Sequence, residues 1–115
     1  MSNRLVKGAD IPGIRVIGHE GVKIGAVREV FIDLSNGTVA FIIVELATLL
    51  VSSGKFHPAP LSELHYDPAM AAFQTGLTKE QFKAAPSYDR DQLADENIGW
   101  PDQAIRYFAT VMQQT

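Results

Sequence analysis

The stretch Lys23-Ile24-Gly25-Ala26-Val27-Arg28-Glu29-Val30-Phe31-Ile32-Asp33-Leu34-Ser35-Asn36-Gly37-Thr38-Val39-Ala40-Phe41-Ile42-Ile43-Val44 decides how this chain folds. Strand side chains alternate between two faces, so a half-buried strand shows an apolar residue at every second position. Val22, Ile24 and Ala26 alternate with Lys23 and Gly25, and Val30, Ile32 and Leu34 alternate with Phe31 and Asp33. The parity breaks between the two sets: Val27 is apolar on the outward register and Arg28 is charged on the inward one. One extra residue repairs the alternation, so the pattern predicts a β-bulge near Arg28-Glu29 that bends the strand and lets the sheet curl. Ser35-Asn36-Gly37-Thr38 comes next, and Asn-Gly accepts positive φ at both central positions of a two-residue hairpin. The returning strand, Thr38–Leu46, is apolar on both faces, with Val39, Phe41 and Ile43 on one and Ala40, Ile42 and Val44 on the other. A strand of that kind is expected to be covered on both sides.

Outward from this hairpin the signals are shorter. Residues 1–13 read as a loose lead-in, Ile14–Ile17 as a short strand, and Gly18-His19-Glu20-Gly21 as a tight turn. Ala47–Gly54 is a connection that carries Leu49, Leu50 and Val51 where polar residues are usual. Lys55–Pro60 is a short strand whose Pro58 and Pro60 allow full pairing on one side at most. A helical turn at Leu61–Leu64, a turn after His65-Tyr66-Asp67 and a last strand at Ala72–Thr75 follow. Thr78-Lys79-Glu80-Gln81 is a capping box with Leu77 and Phe82 at the staple positions, which predicts a helix over Lys79–Ala85 stopped by Pro86. Ser87–Gly99 reads as a polar, acidic linker or surface loop. Pro101 can open a final helix with Ala104, Ile105, Phe108, Val111 and Met112 as one apolar stripe.

The hairpin from Lys23 to Phe41, a Gly and an alternating strand ending in Asp33, then a Gly-containing turn and a hydrophobic strand, resembles the signature hairpin of PRC-barrel domains. Lys55-Phe56-His57-Pro58-Ala59-Pro60 through Asp67 resembles that family's Pro-x-Pro segment, and Leu77–Tyr88 its closing short helix. The chain departs from the family pattern at Ala47–Val51, where a glycine-rich loop is expected, and at Leu61, a position often aromatic. The resemblance implies a mainly β fold: a small, curled antiparallel β-barrel with short peripheral helices and a C-terminal helix. Residues 1–86 would form the barrel domain. Residues 87–115 would add an acidic loop and a helix packed on the barrel or on a partner subunit. The resemblance also implies docking on protein partners and carries no catalytic residues.

The remaining readings are mostly exclusions. The chain has no cysteine, so disulfides and thiolate chemistry are absent. Net charge is −3 with scattered basic residues, which argues against nucleic acid as a partner. Val39–Val44 is the longest apolar run, far below the roughly 18–20 residues of a membrane span. The N-terminus carries no apolar leader, so a soluble, cytoplasmic protein is expected. His57 and His65 flank the Pro58–Leu64 segment and are the basis of an alternative reading as a small-ligand or metal-binding sensor. Ser62, His65 and Asp67 name a triad only by composition, because no nucleophile-elbow motif accompanies them. No catalytic, cofactor or metal residues are assigned, and the chain is not expected to be an enzyme. The leading expectation is a non-catalytic interaction or structural module that forms a homo-oligomer, a dimer, or docks another protein. Its interface would use Leu49, Leu50, Val51, Ile105, Phe108 and Met112.

Overall fold

The computed structural model describes residues 5–47 and 54–113. Its strands are β1 (Arg15–Ile17), β2 (Lys23–Asp33), β3 (Thr38–Leu46), β4 (Phe56–Pro60), β5 (His65–Asp67) and β6 (Ala72–Gln74). Its helices are α1 (Lys79–Lys83), α2 (Arg90–Leu93) and α3 (Trp100–Gln113). The strands form one sheet in the order β4-β3-β2-β1-β6-β5.

The bulge forms where the parity breaks. Val27 stands opposite Val44 and Glu29 opposite Ile43, so Arg28 is the unpaired extra residue. A second slip follows, with Phe31 opposite Phe41 but Ile32 opposite Val39, leaving Ala40 unpaired. The β1–β2 ladder also skips Ile24. Each bulge adds right-handed twist, and together they curl the sheet. Gly25 lies where the β3 backbone leaves no room for a side chain: a Cβ there would sit 2.1 Å from the Glu45 carbonyl oxygen.

The barrel expectation needs correction in two respects. The sheet is mixed, because β1 pairs β6 in parallel. It is also open, because its end strands β4 and β5 are not paired with one another. Short end strands and prolines account for this. Phe56 points its N–H and carbonyl away from β3 to bridge Tyr88, at 2.9 Å in both directions. Pro58 and Pro60 share that outward parity, so their missing N–H groups cost no bond to β3 and leave the outer edge without donors at those positions.

The hairpin turn also differs from expectation. Asp33 pairs with Thr38, so the loop holds residues 34–37 rather than two residues. Only Gly37 takes positive φ, at 72°. The Gly37 N–H donates to the Asp33 carbonyl across the turn, and side chains reinforce it: Asp33 Oδ1 accepts from the Ser35 backbone N–H and hydroxyl, and Asn36 Oδ1 from those of Thr38. Ser35 thereby holds the Asp33 carboxyl below its ordinary pKa, its hydroxyl contributing most. The hairpin tip projects past both covering layers, which leaves Ile32 and Leu34 exposed although the alternation placed them inward.

β3 is covered on both faces, as its sequence requires. Ile42 and Val44 join Val16, Ile24, Val27, Phe73 and Leu77 in the inner core. Phe41 and Ile43 join Phe56, Tyr88, Leu93 and Trp100 in a second core on the outer face. The segment read as a linker supplies that second layer. Asp89 caps α2 by accepting from Gln92 N–H, while Gln92 Oε1 accepts from Asp89 N–H, and Leu93 is buried. α1 has the expected capping box between Thr78 and Gln81. α3 straddles β4: Ala104 enters the outer core, whereas Phe108 and Val111 enter the inner one.

Candidate interaction face

The outer face of the sheet carries two adjoining depressions, with Leu93 in the wall of both. The first is a cleft of about 370 Å³ between Arg28, Glu45, Phe56 and Arg90. The bulge builds it. Inserting Arg28 turns both Arg28 and Glu29 to the outer side, between Val27 and Val30 on the inner side. Arg28 Nε donates to Glu45 Oε1 at 2.6 Å, and the Gly54 N–H to Glu45 Oε2 at 3.3 Å. Glu45, only 6 % exposed, is thus a buried carboxylate with charge-assisted partners. The Arg90 guanidinium stands 6.0 Å from the Phe56 ring centroid, in cation–π range.

The second depression is an apolar groove of about 630 Å³ along the hairpin tip and the start of α3. Trp100 forms its floor. The indole meets Phe31 and Phe41 edge-on, with centroids 5.2 and 5.0 Å away, and its Nε1–H donates to the Leu93 carbonyl at 3.1 Å. Burying the indole therefore leaves no polar atom unsatisfied. Ile32 (56 % exposed) and Leu34 (89 %) stand along one rim. Pro101 stands on the other, and Ile105 (49 % exposed) lies one helical turn beyond it on the same helix face.

The residues expected at an interface are distributed differently. Ile105 is exposed beside the groove. Phe108 is not at the surface. It packs on Phe82 with centroids 5.4 Å apart, because the helix stripe through Ala104, Phe108 and Val111 turns to the chain's own sheet. Met112 falls in the last turn of α3. Leu49, Leu50 and Val51 lie outside the described residues.

The histidines do not converge. His57 is buried on β4, whereas His65 on β5 lines a shallow cleft with His19 and Glu20. Among the described residues no group of three or more His, Asp or Glu side chains is placed to hold a metal ion. Nor does any described helix have the length and apolarity to cross a membrane. Sequence reading missed the Trp100 groove and the Arg28–Glu45 pair. Both had a signal: Phe31 and Phe41 are apolar on the register opposite the core, and Glu45 is the lone charge in an apolar strand.

A search of curated proteins finds no match to this chain. The family model for the PRC-barrel domain matches residues 4–67, from before β1 through β5. That is more than half of the sequence and includes the bulged hairpin and the Pro-x-Pro strand, so the chain belongs to the PRC-barrel domain family.

Proposed function

We propose that the protein is a non-catalytic interaction module that self-associates through the groove beside Trp100. One observation carries this reading: Ile32, Leu34 and Ile105 are left exposed around a groove floored by packed aromatic rings. Contiguous exposed apolar surface marks interaction sites, and two-fold dimers are the commonest soluble assembly. Sedimentation at micromolar concentration is expected to give a dimer. Ile32→Glu with Ile105→Glu should return it to monomer without unfolding it, since both side chains already face solvent. A wild-type protein that stays monomeric would overturn the reading.

A second reading, a small-ligand sensor, is favoured by the cleft between Arg28 and Arg90, whose volume falls in the ligand-pocket range of roughly 300–1,000 Å³. A metabolite that raises the melting temperature of the wild type but not of Arg90→Ala would support it. A screen without such a ligand would count against it.

A further inference from the structure

His57 is a buried polar side chain that neither reading uses. It is 3 % exposed and stands opposite Val44 in the β3–β4 ladder. Val44 and Ala59 on that side of the sheet belong to the inner core, so the imidazole enters the same layer. The backbone carbonyls of Ala85 and Pro86, where the chain leaves α1 for its C-terminal segment, stand near enough to the ring to favour its protonated form. Nδ1 is buried without a hydrogen-bond partner among the described residues. A neutral imidazole tolerates one bare acceptor nitrogen; an imidazolium carries a proton on both nitrogens and a charge to be solvated. Burial accordingly holds the His57 pKa below its ordinary value, with the Lys55 charge adding to the effect and the two carbonyls opposing it.

Among the described residues no neighbouring charge is placed to compensate a proton there. Lys55, just ahead of β4, is of like sign. On β3 the Glu45 carboxylate faces the opposite side and is engaged by Arg28. On α1 Lys79 donates to the Ala47 carbonyl, and Glu80 and Lys83 face solvent. Beyond Pro86 the Tyr88 hydroxyl is bonded to Gln103 and that of Tyr107 to the Gln81 carbonyl, while Asp102 and Arg106 are exposed.

We propose that His57 is an acid-sensitive latch: protonating it raises the population in which residues 86–113 stand away from the sheet, baring Phe41, Ile43 and Phe56. The geometry makes the coupling direct. Phe56, next to His57 in β4, bridges Tyr88 of that segment in both directions, and α3 seals the same strand from both sides. Water reaches the imidazole when this cover lifts. The latch acts on a minor open state, because the cover also buries Trp100, Leu93 and Phe108. A histidine that takes up its proton more readily when open than when closed enriches the open state as pH falls below about 6.5, by at most tenfold per pH unit.

Native-state hydrogen exchange, corrected for intrinsic rates, tests this on the full chain between about pH 7.5 and pH 5. Amides of α3 should open at lower free energy than those of β2 and β3. Their open population should rise toward acid, by at most tenfold per pH unit, and His57→Gln should remove that rise. Exchange of α3 only by global unfolding, or at a pH-independent open population, would overturn the proposal. Should His57→Gln not fold, the wild-type imidazole titration followed by NMR decides: His57 titrating at the ordinary value of about 6.5 while α3 stays protected would equally overturn it.

Discussion

Arg28 Nε lies 2.6 Å from Glu45 Oε1, and each residue accounts for the other's place. Glu45 interrupts an apolar strand, and a buried carboxylate needs a cation. Arg28 is the extra residue of the bulge, and the bulge aims its side chain across the ladder to that carboxylate.

Arg28→Ala should therefore destabilise the fold by about 1–2 kcal/mol, less than the ~3–5 of a fully buried pair because Arg28 is half-exposed. Arg28→Ala combined with Glu45→Gln should cost clearly less than the two single changes added together. Urea unfolding of the four proteins reads this out. Additive losses would show that the two side chains are not coupled.

Two glycines should respond in different degrees. Gly25→Ala places a methyl against the Glu45 carbonyl and should cost ~3 kcal/mol or more, or prevent folding. Gly37→Ala meets open space and carries only the strain of φ at 72°, ~1 kcal/mol. Similar denaturation midpoints for the two would contradict the close strand approach at Gly25.

Phe108→Ala should cost ~3–5 kcal/mol, because it empties space against Phe82 in the inner core. Ile105→Ala, on the neighbouring position but facing solvent, should stay within about 0.5 kcal/mol at protein concentrations below any association. Thermal unfolding of the pair checks which side of α3 the sheet holds. The reverse ranking would place the helix the other way round.

Stability should fall as solutions are acidified from neutrality. His57 has a lowered folded pKa, so the unfolded chain takes up its proton first. Its contribution is complete above the unfolded value of about 6.5 and is lost as pH falls below it, by at most ~1.4 kcal/mol per pH unit. Asp33, also lowered, contributes above its unfolded value of 3.8 and loses that contribution only in stronger acid. Urea midpoints measured from about pH 7.5 to pH 5 should decline for the wild type and for His19→Gln, and flatten for His57→Gln. A decline of equal slope in all three would remove His57 as its source.

Local patterns announced local structure. The slip between Val27 and Arg28 marked the bulge, Thr78 and Gln81 marked α1, and the doubly apolar β3 foretold two layers. What failed was long-range. Nothing in Arg15–Ile17 or Ala72–Gln74 signals a parallel partner, because that pairing is made across the whole intervening chain. The helix stripe at Ala104, Phe108 and Val111 requires burial but does not say against what, so it served equally for a partner and for the chain's own sheet. The acidic character of residues 87–99 hid a capping box, since Asp89 reads as a surface charge until Gln92 is counted three residues on.

Pro58 and Pro60 have a bearing on the growing chain. During synthesis β4 emerges before Tyr88, α2 and α3, so the cover of its outer edge is still to come when the strand is first available for pairing. An uncovered edge normally recruits strands from neighbouring chains. Here the outward positions at 58 and 60 have no N–H to offer, and only Phe56 can donate until Tyr88 arrives. Until its cover is in place, β4 therefore offers a neighbouring strand only a single donor along that edge.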